Sequence, residues 1–522
     1  MLGELGFGTG LNVAAAMRVF ATRGHDRGHL WIWSVEGYPL DVPALRAHAS
    51  AAAARWPEAA PSLSRLAACY PEPVRGQTTL RLRADVTLTL AVGEASEMLA
   101  DAAIRADAWF LDGFSPSANP GMWTDEVLAL VAARSRPGAT ASTFSVAGQV
   151  RRGLTAAGFG IERAPGFGRK REMLTARLPG ARGRTGRKRV AVLGAGIAGA
   201  SAAWHLRRLG SEVAVYDPGG PGAGASGNPV GLLTPRLEAQ DSPLARTYRD
   251  AFDYALGLYA EAAPGALRPM RAGVLAAPGR AEKVAALRLW REGRVVPGED
   301  GFACEAAATL DPLGAVTAML SGAPVRRARA EPVPGEAAVR SEGREERFDA
   351  LVVATGPEAA ALDLGLPVFA PRRGQIDWFA GPRLAGIRSG DGYAAPYDGG
   401  VVAGATYGRP ALGGLSAEDT EANRRTAARL SGQPPGEHRG GRASLRAATP
   451  DRHPAAGEAS PGVFVLSGLG SRGLVTGPLL GAEVAARIHG AAVLDAPARA
   501  ALDPWRFAER ARRRDQLPAG RA

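Results

Sequence analysis

Residues 189–217, RVAVLGAGIAGASAAWHLRRLGSEVAVYD, leave little freedom in what this part of the chain can become. An apolar run of strand character meets Gly194-x-Gly196-x-x-Gly199, an apolar helical stretch follows, and a second strand-like run ends at Asp217. Lacking Cβ atoms, the first two glycines let the backbone turn sharply and approach a pyrophosphate, and the third lets the helix pack close to its strand. The helix N-terminus then faces phosphate, and Asp217 can accept hydrogen bonds from ribose hydroxyls. The pattern predicts a βαβ dinucleotide-binding unit.

That unit is the second of two. At 522 residues the chain exceeds one ordinary domain of about 150 residues. The stretch GARGRTGRKR, residues 180–189, has five cations, three glycines and no apolar periodicity, which reads as an exposed linker. The expected boundaries are 1–179 for a first domain and 180–187 for the basic linker. The second domain takes 188–500, with a substrate-binding part over about 260–345 and 365–450. Residues 501–522 form a basic tail in which Trp505 and Phe507 pack and the end frays. With 46% hydrophobic and 22% charged residues, disorder throughout is excluded. No apolar run nears the roughly 18 residues of a bilayer span, and the start lacks the order of a signal peptide. No membrane contact and a cytoplasmic location are therefore expected, with a monomer as the oligomeric state. Cys69 and Cys304 make neither a disulfide framework nor a metal cluster, so no metal is expected.

The net charge of +12 is almost wholly arginine, since Lys170, Lys188 and Lys283 are the only lysines. Such a surplus suits a polyanion, because cations on phosphates release counterions. Genomic base composition, with its abundant Ala and Gly, is the other explanation. Charge alone does not choose.

Before the linker, strand and helix patterns alternate and close with a hairpin, GFGIERAP and REMLTARL, as in a doubly wound sheet. Gly6, Gly8 and Gly10 stand between a strand stub and a helix over about Leu11–Arg23, and the next strand ends at Glu36. The spacing E-x-G-x-G-x-G is not the dinucleotide fingerprint, and no lysine follows to make a P-loop. Glu36 suits a ribose, and Glu94, following Gly93 after the strand VTLTLAV, can face an adenine. Asp112 ends the buried strand ADAWFLD and opens the stretch FLDGFSPSANPGMW, residues 110–123. A carboxylate there can accept a proton from an amine nucleophile; a turn aspartate before Gly113 and Pro116 is the alternative. Turn chemistry alone does not ask for the whole stretch. Thr124 is the expected N-cap of the next helix, with Asp125 and Glu126 in its first turn. His25 and His29 have helical metal spacing but no carboxylate partner, and solvent exposure is expected for both.

ELGFGTGLN followed by Glu36 resembles the S-adenosylmethionine-binding loop of class I methyltransferases. GAGASGNPVGLLTPRL (222–237), FDALVVATGPEA (348–359) and VFVLSGLGSRGLVTGPLLGAEVAARI (463–488) resemble flavin-facing segments of the D-amino-acid oxidase and glycine oxidase superfamily. This implies FAD rather than NAD, with Ser226, Gly470 and Gly473 joining Gly194, Gly196, Gly199 and Asp217 around it. Arg446, in SLRAATPDRHPAAG, matches the superfamily arginine that forks onto a substrate carboxylate, and Arg373 in RRGQ is a second candidate; His453 reads as structural.

Both halves in this order resemble, over nearly the whole chain, the bacterial bifunctional tRNA 5-methylaminomethyl-2-thiouridine biosynthesis (MnmC) family. The marks are SVEGYPL, FLDGFSPSANPGMW and GFGRKREML in the first half and ASGNPVGLLTPRL, ATPDRHP and GLGSRGLVTGPLL in the second. The resemblance implies a class I, Rossmann-like methyltransferase followed by a D-amino-acid-oxidase-type FAD domain of α/β and α+β character. It implies two steps on the wobble uridine of tRNA. FAD-dependent oxidation first removes the carboxymethyl group of 5-carboxymethylaminomethyl-(2-thio)uridine as glyoxylate, with Arg446 on the carboxylate. S-adenosylmethionine-dependent N-methylation follows, with Asp112 on the amine. Arg169–Arg171 and Arg182–Arg189 are candidate tRNA contacts as well as candidate solvated linkers. Family members carry several tens of residues before the glycine loop. Either Met1 is internal to a longer reading frame or the methyltransferase domain is shortened; in the second case weaker methyl transfer and exposed apolar surface near Leu2 and Leu5 are expected. Two other readings fit the residues: a glycine- or sarcosine-type amine oxidase whose methyltransferase serves the same metabolite, and a first domain acting only as an RNA-binding scaffold.

Overall fold

The computed structural model describes the chain apart from residues 23–27, 167, 169–170, 182–186, 239, 276–289, 291–293, 299–300, 363, 365, 367–368, 409–413 and 516–522. It divides into two compact units, residues 1–186 with 489–496, and residues 187–488 with 497–522. The excursion of 489–496 to the first unit has no counterpart in the sequence pattern. It is fixed by side chains of the first unit's sheet: the Val493 carbonyl accepts from Thr79 Oγ1 (2.9 Å) and Thr89 Oγ1 (3.4 Å). Among the described residues no helix is long and apolar enough to cross a membrane.

The first unit is built on eight strands: β1 (Leu2–Leu5), β2 (Leu30–Glu36), β3 (Gly76–Arg83), β4 (Val86–Val92), β5 (Ala106–Leu111), β6 (Ser135–Thr143), β7 (Gly160–Pro165) and β8 (Glu172–Arg177). Their order in the sheet is β3-β4-β2-β1-β5-β6-β8-β7. β4, β2, β1, β5 and β6 are parallel, and β8 runs antiparallel to β6, closing the expected hairpin with β7. The sequence pattern did not mark β3, which lies antiparallel to β4 at the opposite edge. Helices α1 (Leu11–Ala21), α2 (Val42–Arg55), α3 (Ala60–Cys69), α4 (Ala95–Asp101), α5 (Asp125–Ala133) and α6 (Gly148–Ala156) connect the strands. Thr124 caps α5 as expected, its Oγ1 accepting from the Val127 N–H at 3.3 Å.

Side chains alternate across the central strand, as a strand's period of two requires. Leu5 joins Trp33, Trp109 and Leu111 in one core, and Leu2 joins Ile32, Leu45 and Leu88 in the other. They are 1% and 8% exposed, so the expected apolar surface near Leu2 and Leu5 is not there. The correction has a simple cause: β1 sits between β2 and β5, and its faces are covered by cores holding Leu99, Val127 and Leu128 on one side and Val13, Met17 and Leu66 on the other.

In the second unit, β9 (Arg189–Leu193) lies between β10 (Glu212–Tyr216) and the strand Ala350–Val353, and Val463–Ser467 continues the parallel set. Helix α7 (Ile197–Arg208) follows β9. A second, eight-stranded sheet takes segments between Ala272 and Cys304, between Ala370 and Gly404, and His438–Ala448. Val325–Arg326 instead extends the nucleotide-binding type of sheet beside β10, and Ala330–Arg347 forms a small sheet of its own. The expected substrate segment 260–345 is therefore shared among several sheets.

The C-terminal helix Arg506–Asp515 is preceded by Trp505, whose Nε1 donates to the Ala459 carbonyl at 2.9 Å. Buried Arg506 forks onto both carboxylate oxygens of Asp451 at 2.9 Å and donates to the His453 carbonyl at 2.9 Å. Burial alone would raise the Asp451 carboxyl; the Arg506 guanidinium overrides that and holds it at about 2. The stabilisation is complete above the ordinary 3.8 and is lost as pH falls through about 2. Arg506→Ala is expected to lower the stability of this unit by about 3 kcal/mol in denaturant unfolding at neutral pH. Arg506→Lys should recover less than half, because an ammonium cannot fork onto both oxygens. A wild-type midpoint for Arg506→Ala would refute the clamp.

Candidate functional site

At the carboxyl end of β1 the chain turns through Gly6, Gly8 and Gly10, with φ of 88°, 53° and 72°. Most side chains are excluded from that region. Packing demands two of the three: a Cβ on Gly6 would lie 2.8 Å from Gly113 Cα, and one on Gly10 would lie 2.3 Å from Leu66 Cδ2. Among the described residues a Cβ on Gly8 would meet nothing within 4 Å, so Gly8 lines open space among them. Glu36, at the end of β2, accepts from the Gly8 N–H at 2.8 Å and the Tyr38 N–H at 2.9 Å. The Glu36 carbonyl takes the Gly93 N–H at 3.0 Å, and Glu94 follows, exposed, at the N-cap of α4 with no side-chain capping bond. The fold thus brings Gly6, Gly8, Gly10, Glu36 and Glu94 to one edge of the sheet.

Asp112 reaches the same edge from β5. It is exposed, its N–H donates to the Leu5 carbonyl at 3.1 Å, and its carboxylate accepts from Asn12 Nδ2 at 2.9 Å. Part of the stretch after it is structural after all. A Cβ on Gly113 would lie 2.4 Å from Met122 Cε, and buried Trp123 donates from Nε1 to the Phe114 carbonyl at 2.8 Å. These contacts shape the loop and leave Phe114 presented outward, 62% exposed. Tyr38, beside Glu36, is 72% exposed. Both aromatics escaped the sequence reading, because a lone aromatic beside an acid carries no periodic signal.

Glu4 was also missed as a site residue. It is 1% exposed, and its Oε2 accepts from Ser34 Oγ at 2.5 Å. Among the described residues its Oε1 finds no hydrogen-bond partner. Burial pushes the Glu4 carboxyl up to about 8, against the opposing hydrogen bond of Ser34. An acid inside an otherwise apolar strand, two residues before Gly6, was the available signal. His25, Arg169, Lys170 and Arg182–Gly186 lie outside the described residues. His29 is half-buried and not solvent-exposed as expected, with Nε2 3.0 Å from Thr87 Oγ1.

In the second unit the turn after β9 is tighter still. A Cβ on Gly194 would stand 2.3 Å from the Ala354 carbonyl oxygen, and one on Gly199 would stand 1.9 Å from that of Gly194. At the N-terminus of α7 the Ile197 N–H donates to Ser226 Oγ at 2.9 Å, and a Cβ on Gly196 would stand 3.1 Å from the same oxygen. Asp217 fastens the turn: its carboxylate accepts from the N–H groups of Ala195 (2.8 Å), Gly219 (2.9 Å) and Gly220 (3.0 Å). Gly470 faces open space, and Gly473 opens the helix Gly473–Ile488 with its Cβ position 3.5 Å from Ile197 Cγ2.

Arg446 projects, half-buried, from the strand His438–Ala448. It needs the missing side chain of Gly374, whose Cβ would lie 1.7 Å from Arg446 Nη2. Its guanidinium lies 5.1 Å over the Tyr407 ring, and among the described residues it makes one hydrogen bond, to the Thr406 carbonyl at 3.2 Å. On the same strand Arg442 donates to Asn228 Oδ1 (3.0 Å) and to the carbonyls of Ala223 (3.1 Å) and Gly224 (2.8 Å), holding the loop that carries Ser226. Arg373 is not a match for a substrate carboxylate. It is 1% exposed, paired with Asp419, and bonded to Gln375 Oε1 (2.9 Å) and the Gly414 carbonyl (2.5 Å). His453 Nδ1 lies 2.9 Å from Tyr248 OH; burial and then Arg236 push its imidazole down. Among the described residues no group of three His, Cys, Asp or Glu could hold a metal ion.

Residues 57–179 match the family described as S-adenosyl-L-methionine-dependent methyltransferase, and residues 189–487 that described as FAD dependent oxidoreductase. The chain is 41% identical over 515 residues to the tRNA 5-methylaminomethyl-2-thiouridine biosynthesis bifunctional protein MnmC of Caulobacter vibrioides, covering 94% of this chain and 86% of that one. The protein of the same name from Maricaulis maris is 38% identical over 529 residues, covering 98% and 88%. Among solved structures, L-proline dehydrogenase from P. horikoshii is similar in fold, with a TM-score of 0.51 and 17% identity over 62% of this chain and 98% of that one. Iminodiacetate oxidase from Chelativorans sp. BNC1 gives 0.50 and 24% over 58% and 95%.

The buried Glu4 has a consequence for stability. Between its ordinary 4.5 and about 8 the folded chain keeps a proton that the unfolded chain releases. Stability therefore falls as pH rises through that window, with a slope of up to about 1.4 kcal/mol per pH unit. Glu4→Gln should flatten this slope in denaturant unfolding of the first unit at pH 5, 6.5 and 8. An unchanged pH profile would show that Glu4 does not carry it.

Proposed function

The chain belongs to the tRNA 5-methylaminomethyl-2-thiouridine biosynthesis bifunctional protein family, and from that membership we propose that it carries out two successive steps on the wobble uridine of tRNA. It is an enzyme with an FAD dependent oxidoreductase unit and an S-adenosyl-L-methionine-dependent methyltransferase unit. The second unit oxidises the N–CH2 bond of 5-carboxymethylaminomethyl-(2-thio)uridine to an imine, and water hydrolyses that imine to glyoxylate and the 5-aminomethyl form. The first unit methylates the resulting 5-aminomethyl group to 5-methylaminomethyl-(2-thio)uridine.

Bound FAD supplies the two-electron acceptor for oxidising the N–CH2 bond, and S-adenosylmethionine supplies the methyl group. Gly194, Gly196, Gly199, Asp217, Ser226, Gly470 and Gly473 would hold the flavin dinucleotide. This fit is supported by the glycine turn into α7, where neither Gly194 nor Gly199 has room for a Cβ and Ser226 Oγ sits against the Ile197 N–H. Gly6, Gly8, Gly10, Glu36 and Glu94 would hold S-adenosylmethionine, supported by the open space over Gly8 and the carboxylate that Glu36 brings to it.

The observation that most supports the oxidative step is Arg446. A half-buried guanidinium with one hydrogen bond among the described residues, centred 5.1 Å from the Tyr407 ring, keeps donors for a forked contact with the carboxymethyl carboxylate. That contact places the adjoining N–CH2 bond. For the second step, Asp112 accepts a hydrogen bond from the amine and takes its proton, freeing the lone pair to attack the methyl carbon. Asn12 orients the carboxylate that does so.

The test is nucleoside mass spectrometry of tRNA carrying the carboxymethylaminomethyl group, incubated with the protein. Without S-adenosylmethionine the carboxymethyl mass should disappear; with it one methyl should be gained. Asp112→Asn should cut methyl gain by roughly 100-fold or more and leave carboxymethyl removal intact. Arg446→Met should raise KM for the carboxymethylated tRNA by roughly 100-fold, and methylation of aminomethyl-tRNA should be unchanged. An unaltered tRNA, with peroxide formed from free glycine or sarcosine, would replace this reading with a metabolite oxidase.

A further inference from the structure

The carboxyl edge of the first unit's sheet carries more than the residues assigned above. Passing outward from β5, which ends at Asp112, the sheet continues through β6 and β8 to β7 at the edge. Three strand spacings of about 4.8 Å put β7 roughly 14 Å from Asp112. Helix α6 leaves the carboxyl end of β6 and presents Arg151 and Arg152 in its first two turns, both exposed. Arg163 lies near the carboxyl end of β7, also exposed. These three arginines line a shallow concavity of about 530 Å³ over α6, β7 and β8. Glu172 pairs with Arg163 at 3.1 Å and offsets one charge; among the described residues neither Arg151 nor Arg152 forms an ion pair. At the inner end of this track stands Phe114, two residues after Asp112, exposed and with its backbone pinned by Trp123.

We infer that the single-stranded stretch around the modified nucleotide crosses this edge, with its base against Phe114 and its backbone phosphates on Arg151, Arg152 and Arg163. Sequence-tolerant stacking on an exposed aromatic and phosphate contacts by clustered cations are the two ways a protein holds an unpaired strand. Here the two lie a few nucleotides apart, with the Asp112 carboxylate next to the aromatic. Guanidinium groups suit phosphate better than an ammonium would, because they donate in a planar fork. The inference rests on the proposed tRNA activity and gives it a path on the methyltransferase unit.

The test uses the full chain, tRNA with a 5-aminomethyl wobble uridine, and saturating S-adenosylmethionine. Replacing all three arginines by alanine should raise KM for tRNA about ten-fold or more with little change in kcat. It should also lower the slope of log K against log salt by about 2, as expected for three lost single-strand phosphate contacts. Affinity for S-adenosylmethionine should stay at the wild-type value, which also reports that the unit is folded. If it does not, Arg152→Glu alone, at an exposed side chain, should give the same rise in KM. Phe114→Ala should weaken tRNA use by about ten-fold or more and leave the salt slope unchanged, because stacking releases no counterions. Wild-type KM and salt slope in the arginine variants would overturn the inference while leaving the tRNA activity standing. A wild-type chain that neither binds nor methylates the tRNA would overturn both.

Discussion

A Cβ atom at Gly199 would stand 1.9 Å from the carbonyl oxygen of Gly194, and no adjustment of side chains relieves a clash with backbone. That single close approach sets where α7 begins relative to β9, and so where its unpaired N–H groups point. The surrounding features follow from it. Asp217 ends the neighbouring strand and accepts the Ala195 N–H within the turn. Ser226 meets the Ile197 N–H at the helix end. Arg442 reaches from a different sheet to hold the Ser226 loop in place. The first unit solves the same problem with weaker steric pressure: its helix begins after three glycines in left-handed conformations, one of which faces open space.

The first unit also separates two carboxyl groups that stand on adjoining strands. Glu4 is buried within β1 and is pushed up to about 8, so it holds its proton at neutral pH. Asp112 ends β5 in solvent and accepts from Asn12. Burial of one and exposure of the other let neighbouring carboxyl groups serve different purposes. A neutral Glu4 adds no charge beneath the cofactor loop, and the exposed Asp112 keeps an acceptor for an amine.

How much of this was legible depends on whether a feature is written locally. The glycine turns, the terminal acids Glu36 and Asp217, and the Thr124 cap each follow from a short stretch of chain, and the structure has them where the pattern put them. Arg373 shows the limit: it looks as available as Arg446 in sequence, yet tertiary packing against Asp419 and Gln375 buries it. Arg446 and Arg373 differ because one lays its guanidinium over the bare backbone of Gly374 and the other meets Asp419 on a helix. The return of 489–496 to the first unit is likewise invisible, since two threonine hydroxyls on distant strands fix it. Leu2 and Leu5 were misread because their cover comes from strands far along the chain.

The order of the two proposed steps follows from the charges of the sites. The carboxymethylated substrate carries a carboxylate, which the Arg446 guanidinium attracts and the exposed Asp112 carboxylate repels. Oxidative removal takes that carboxylate away and leaves an amine that is cationic in water. Both forms carry the cationic amine, so the change that ends the attraction to Arg446 also removes the carboxylate's repulsion from Asp112. Arg446 is complementary to the carboxylate that only the first form carries, and Asp112 to the amine once that carboxylate is gone.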